Sequence, residues 1–154
     1  MTSSLTVFDH LVLHPFAADL PGAWLRGLAA CARPATWPVD TRLAREGSPA
    51  DQFWLLESGT VELDFHVPGH GDVPFQRLGA GRLLGWSWLV PPYRWVCGAR
   101  VLQQCGAIEL RATAVRELAA ADPEFGVALT TRVLTGAVHQ LQTARQRVAE
   151  RHGR

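Results

Sequence analysis

The sequence predicts a mainly β fold with flanking helices, a jelly roll or barrel. Three observations lead there. Apolar and polar residues alternate strictly from Thr60 to Val67, short segments broken by Gly and Pro run from about Thr36 to Leu110, and helical periodicity is confined to the two ends. With 154 residues, the chain is long enough for one hydrophobic core and too short for two comfortable ones. An apolar fraction of 47% and a charged fraction of 19% fit a folded globular protein, and no polar or low-complexity tract argues for disorder.

Taken in order, Leu20, Trp24, Leu25, Leu28 and Ala29 recur at helical spacing between Asp19 and Cys31, with Pro21 near the start, where a missing N–H is harmless. Pro34 and Pro38 break that pattern, and β segments take over from about Thr36. The clearest strand sets Val61, Leu63, Phe65 and Val67 on one face and Thr60, Glu62, Asp64 and His66 on the other. Pro68 to Asp72 is turn chemistry. Val73, Phe75 and Leu78 suit the returning strand of a hairpin, with Pro74 pointing to an edge or a bulge. Further strands are expected at Phe53 to Glu57, Trp95 to Leu102 and Ala107 to Leu110. Such short, regularly punctuated strands favour a roll over a parallel sheet alternating with helices.

Two helices are expected to close the chain, Thr113 to Ala121 and, past Asp122-Pro123, Glu124 to about Arg151. In the second, Val127, Leu134, Leu141 and Val148 stand seven apart, with Ala137 and Ala144 filling the same stripe. At about 1.5 Å per residue this helix would outrun a small barrel, so part of the stripe is expected to meet another chain as a homodimer. Arg145, Arg147, Arg151 and Arg154 form a basic end that complements the helix C-terminal dipole.

Composition narrows function by exclusion. The formal charge of +1 offers no global pull toward nucleic acid or an anionic membrane. Every basic residue is arginine, the better residue for a forked phosphate contact. Cys31, Cys97 and Cys105 form no CxxC pair and read as reduced thiols. No basic leader precedes an apolar run, and no stretch reaches the roughly 18 apolar residues that span a bilayer, so a cytoplasmic protein without a membrane partner is expected. His66 and His70 lack the further ligands of a metal-dependent jelly roll, and no metal site is expected. Gly-x-Ser-x-Gly, Walker and Rossmann signatures are absent, and the expectation is that the chain is not an enzyme.

Three segments carry a family resemblance. Arg45-Glu46-Gly47-Ser48-Pro49-Ala50-Asp51-Gln52-Phe53-Trp54-Leu55-Leu56-Glu57-Ser58-Gly59-Thr60-Val61 resembles the strand, Gly turn, strand, Ser-Gly turn, strand pattern of the cyclic-nucleotide-binding domains of the Crp/Fnr catabolite-activator family. Leu78-Gly79-Ala80-Gly81-Arg82-Leu83-Leu84-Gly85 is similar to that family's Leu-Gly-x-Gly-x-x-x-Gly lead into its phosphate-binding cassette. His14-Pro15-Phe16 with Leu20-Pro21 is similar to its helical entry. The resemblance runs from about Phe8 to Val148. It implies a double-stranded β-helix, or jelly roll, in one domain over 1–154: an N-terminal helical part at 8–33, a β-roll at 34–111 with the cassette at 79–95, and C-terminal helices at 112–151. The family's transcription factors place a helix-turn-helix after the long helix. This sequence stops at Arg154, so neither a DNA-binding domain nor direct nucleic-acid binding is expected.

In the family, a short cassette helix holds the cyclic phosphate on backbone amides, aided by one arginine. Here the resemblance assigns the amides to Gly85, Trp86 and Ser87 and the phosphate partner to Arg94, with cAMP, cGMP or a related phosphate as the ligand. Gly85-Trp86-Ser87-Trp88 and Pro91-Pro92-Tyr93-Arg94-Trp95 resemble an aromatic subgroup of these cassettes. Trp86 stands where the family has a glutamate that accepts from the ribose, a bond of about 1.5–3 kcal/mol whose loss weakens binding roughly 10- to 100-fold. Trp95 stands where the family usually has a small hydroxyl residue. Two readings remain open: a sensor whose ligand contacts Gly85, Trp86, Ser87, Trp88, Arg94 and Trp95, and a ligand-free dimerisation or protein-interaction module whose indoles fill the pocket.

Overall fold

Residues 4–153 are described by the computed structural model; Arg154, of the expected basic end, lies outside them. The chain runs α1 (Val7–Leu13), α2 (Gly22–Ala30), β1 (Ala32–Trp37), β2 (Arg42–Ala44), β3 (Gln52–Val67), β4 (Gly71–Leu78), β5 (Leu83–Leu84), a single 3₁₀ turn (Ser87–Leu89), β6 (Gly98–Arg111), α3 (Ala112–Ala121) and α4 (Pro123–His152). The strands pair antiparallel in the order β1-β6-β3-β4, with β2 on β6 and β5 on β3. This is an antiparallel β-roll with the expected flanking helices.

Two long strands replace pairs of expected short ones. β3 fuses Phe53–Glu57 with Thr60–Val67, and the join is a run of register shifts between Leu56 and Val61. Gly59 permits it: its φ is +84°, and a Cβ there would lie 2.2 Å from the Gln104 carbonyl oxygen. Opposite, β6 passes through Gly106, whose N–H donates to Ser58 Oγ at 2.9 Å. The paired strands bend together here, so each serves both halves of the roll. β1 starts four residues before the expected Thr36 and contains Pro34, tolerated because β1 ends the sheet order. Pro74 satisfies both expectations: β4 is the opposite edge, and a register shift separates Leu63 from Asp64 where Pro74 pairs.

Helix α1 is an element the periodicity did not reveal. Its signal is a capping box: the Asp9 N–H donates to Thr6 Oγ1 at 3.2 Å, and the Thr6 N–H donates to Asp9 Oδ2 at 2.9 Å. Asp122 caps α4, accepting from the Phe125 N–H at 3.2 Å, and also accepts from Trp24 Nε1 at 2.9 Å. The junction of the last two helices is thereby tied to α2.

The core is built from Phe53, Leu55, Leu56, Val61, Ile108 and Leu110, closed by Leu11 and Leu28 below and by Phe125, Leu129 and Val133 of α4. After Val133, α4 buries no further side chain. Its 30 residues span about 45 Å. The opposite stripe is open, with Val127 at 69%, Leu134 at 61%, Leu141 at 69% and Val148 at 57% exposure. Cys31, Cys97 and Cys105 are free and buried, and burial pushes the Cys97 thiol up to about 11, helped by the nearby Asp64 and Glu46 carboxylates. No helix among the described residues is long and apolar enough to cross a membrane.

Candidate functional site: the cassette corner

The glycine-rich lead is fastened to β3 before the cassette begins. The Gly81 N–H donates to the Leu56 carbonyl at 2.8 Å, and the Leu56 N–H donates to the Arg82 carbonyl at 2.9 Å. The Leu56 carbonyl also accepts from His14 Nε2 at 2.9 Å, while His14 Nδ1 accepts from the Phe16 N–H at 3.1 Å. One ring nitrogen accepts and the other donates, so His14 is a neutral imidazole. Burial holds its pKa below the usual value, against the opposing pull of the Leu56 carbonyl and the Glu57 carboxylate. Arg132 of α4 donates to the Phe16 carbonyl at 2.7 Å, which extends the same chain of contacts to the long helix.

Gly85 then turns the backbone at φ +97°, in the left-handed region that favours glycine. It is needed twice over, because a Cβ there would lie 2.7 Å from Trp95 Cη2. Ser87 and Trp88 form the buried 3₁₀ turn, and Trp86 precedes it, half-buried. Trp88 is fully buried. Its ring stacks on Phe53 with centroids 3.8 Å apart and planes at 4°, and its Nε1 donates to the Gly85 carbonyl at 2.9 Å. Both ends of the indole, apolar body and polar tip, are thus satisfied inside the protein.

From Tyr93 to Cys97 the side chains alternate between outside and inside. Arg94 and Val96 are exposed, whereas Trp95 and Cys97 are buried. Trp95 lies against Trp54, centroids 5.6 Å apart at 22°, and Trp54 meets Trp37 edge-on at 5.7 Å. Backbone bonds hold the position: the Trp95 N–H donates to the Ser48 carbonyl at 2.8 Å, and the Gly47 N–H donates to the Trp95 carbonyl at 2.7 Å. Arg94 points the other way, with Nη1 donating to the Gly47 carbonyl at 2.9 Å on the surface.

The six residues singled out in sequence therefore divide. Gly85, Trp86, Ser87 and Trp95 line one corner, Trp88 lies behind it in the core with its Nε1 on the Gly85 carbonyl, and Arg94 stands outside with its guanidinium on a neutral carbonyl. The space between Gly85, Trp86, Ser87, Trp95, Cys97 and Gln140 has a free volume of about 10 Å³, the room of a single water. Indole mass fills the corner.

Sequence reasoning missed Arg116 of α3. Its Nη1 donates to the Trp88 carbonyl at 2.7 Å, its Nη2 to Thr113 Oγ1 at 3.3 Å, and its guanidinium lies 4.1 Å from the Tyr93 ring centroid. It ties Trp88 and Tyr93 of the cassette to α3. Its only trace in sequence was an arginine three residues after Thr113.

Residues 35–122 match the profile of the cyclic nucleotide-binding domain. The chain belongs to that family. Solved structures repeat its fold over nearly the whole length. A cyclic nucleotide-binding protein from Geobacter metallireducens GS-15 superposes with a TM-score of 0.79 at 23% identity, covering 86% of this chain and 96% of that one. A cyclic nucleotide-binding domain from Methylobacillus flagellatus KT gives 0.77 at 19% identity, covering 95% and 82%. The N-terminal domain of a transcriptional regulator from Streptomyces coelicolor A3(2) gives 0.66 at 22% identity, covering 89% and 95%. No curated protein matches the chain in sequence. The matched region spans the roll, the glycine lead and the cassette.

Proposed function

We propose that this member of the cyclic nucleotide-binding family is a non-enzymatic regulatory module that homodimerises through α4, its cassette corner occupied by its own Trp95 instead of a nucleotide. The observation that carries the reading is the filled corner: about 10 Å³ of free space, with the Trp95 ring held against Gly85. Trp86 in place of a ribose-accepting carboxylate and Arg94 facing outward support it. The uncovered seam of Val127, Leu134, Leu141 and Val148 supports the dimer, since narrow heptad stripes are buried by partner helices. No nucleic acid or membrane takes part in this reading, and the site of action is the cytoplasm.

The competing reading, a sensor for cAMP, cGMP or a related phosphate, rests on the retained glycine geometry, with Gly81 at φ +86° and Gly85 at φ +97°. Ligand titration and mass measurement separate them. Isothermal calorimetry with cAMP and cGMP is expected to give no heat, and light scattering to give a dimer that Leu134→Asp with Leu141→Asp turns into folded monomers. A melting temperature raised by cAMP or cGMP, with the rise removed by Arg94→Ala, would restore the sensor. An unchanged mass in the double variant would retire the dimer.

A further inference from the structure

The room missing from the cassette corner exists on the outside of the roll. A groove of about 460 Å³ runs between the β3–β4 hairpin and the last turns of α4. That volume lies within the roughly 300–1,000 Å³ of sites that take small organic ligands.

Its floor is aromatic and open. Phe65 and Phe75 stack with centroids 4.2 Å apart and planes at 10°. Phe65 pairs directly with Val73 across the two strands, and Phe65 remains 42% and Val73 38% exposed. Ala144 and Val148 of α4 form the facing wall. The ring pair and the aliphatic wall thus form a small continuous apolar surface beside polar residues.

Its rim is cationic, and among the described residues two of its three arginines make no salt bridge. Arg77, Arg147 and Arg151 line the groove against a single carboxylate, Glu62. Glu62 lies 3.3 Å from Arg100 and 3.9 Å from Arg77, so Arg100 takes the closer contact. Arg147 donates to the neutral Phe75 carbonyl at 3.0 Å. Among the described residues, neither Arg147 nor Arg151 makes a salt bridge. In a chain whose formal charge is only +1, this is a local concentration of positive charge over a flat apolar floor. Guanidinium groups pair with carboxylates and phosphates through paired N–H bonds, and phenyl rings take planar apolar bodies face-on.

We propose that this groove is a binding site for a small planar aromatic acid, with the ring system on Phe65 and Phe75 and the anionic group between Arg147 and Arg151. The site shares no residue with the cassette corner and stands whether or not that corner takes a nucleotide; it shares Val148 with the last position of the proposed dimer seam, and the strand residues of its lining lie off that seam.

The test uses 2-naphthoate, its neutral counterpart 2-naphthamide, and inorganic phosphate, titrated into the full chain by calorimetry and by amide chemical shifts of the ¹⁵N-labelled protein. The acid is expected to bind at least tenfold more tightly than the amide, to shift Phe65, Val73, Phe75 and Val148, and to weaken as salt rises; phosphate gives no comparable heat. Arg147→Gln with Arg151→Gln, both exposed and safe for the fold, is expected to bring the acid down to the affinity of the amide. Phe65→Ser is expected to weaken both aromatic probes. Equal binding of acid and amide, or an unchanged affinity in the double arginine variant, overturns the proposal. So do shifts confined to Gly85–Trp95, an outcome that would instead reopen the cassette.

Discussion

The cassette corner and the outer stripe of α4 are both rich in apolar side chains, yet the fold treats them oppositely. At the corner the two buried indoles find partners within the chain: Trp88 on Phe53, Trp95 on Trp54, with the Trp88 N–H on the Gly85 carbonyl. Along α4, Val127, Leu134, Leu141 and Val148 find none and remain in water. The difference teaches where this domain has surplus. The aromatic residues Trp88 and Trp95 are core, whereas the aliphatic residues repeated every seven positions on α4 are surface.

The comparison is broken hardest by removing a ring from the corner. Trp88→Ala deletes a fully buried indole and its stack, and is expected to cost about 3–5 kcal/mol in urea unfolding. Leu141→Ser, which removes a large exposed aliphatic side chain from the open stripe, is expected to stay within about 0.5 kcal/mol for the monomeric fold. Similar costs for the two would mean that the corner is loosely packed and its indoles replaceable.

A middle-sized effect comes from the link between the two regions. His14 joins the Leu56 carbonyl, shared with the Gly81 turn, to the Phe16 backbone, on which Arg132 of α4 also rests. Its folded pKa is lowered from 6.5, first by burial, so the native state favours the neutral ring. The unfolded chain therefore takes up the proton first as pH falls. The stabilisation is fully present above about pH 6.5 and drains away as pH drops from there toward the lower folded value. Denaturation curves recorded from pH 7.5 down to pH 5 are expected to show this loss, and His14→Gln, whose amide can also accept and donate, is expected to flatten it. Identical slopes for the two proteins would place the acid sensitivity elsewhere.

Much of the roll was legible because its signals are local. Alternation fixed the strand through Val61, Leu63 and Phe65, and Asp122-Pro123 marked the start of α4 because a cap and a first-turn proline act within a few residues. The glycines at 79, 81 and 85 marked the cassette for the same reason. What escaped was set by distant contacts. The fusion of short strands into β3 and β6 depends on Gly59 meeting Gln104 across the sheet, and Arg116 becomes a clamp only once α3 lies over Trp88. The direction of Arg94 escaped too. It follows from a one-residue alternation that places Trp95 inside, and motif spacing carries no sign of which of two neighbours turns inward.

That alternation sets the smallest and most discriminating expectation. Arg94 is exposed, its single hydrogen bond runs to a carbonyl that water can equally well satisfy, and its charge neutralises no buried anion. Arg94→Ala is therefore expected to change unfolding free energy by less than about 0.5 kcal/mol and to leave the melting temperature in phosphate buffer where it was. An arginine seated in a working anion cradle behaves differently, because phosphate bound to the native state alone raises the melting point in proportion to its concentration, and losing the arginine abolishes that rise. A phosphate-dependent gap between wild type and Arg94→Ala would mean that the guanidinium swings inward in solution and displaces Trp95. Coincident curves at every phosphate concentration leave the indole as the corner's only occupant.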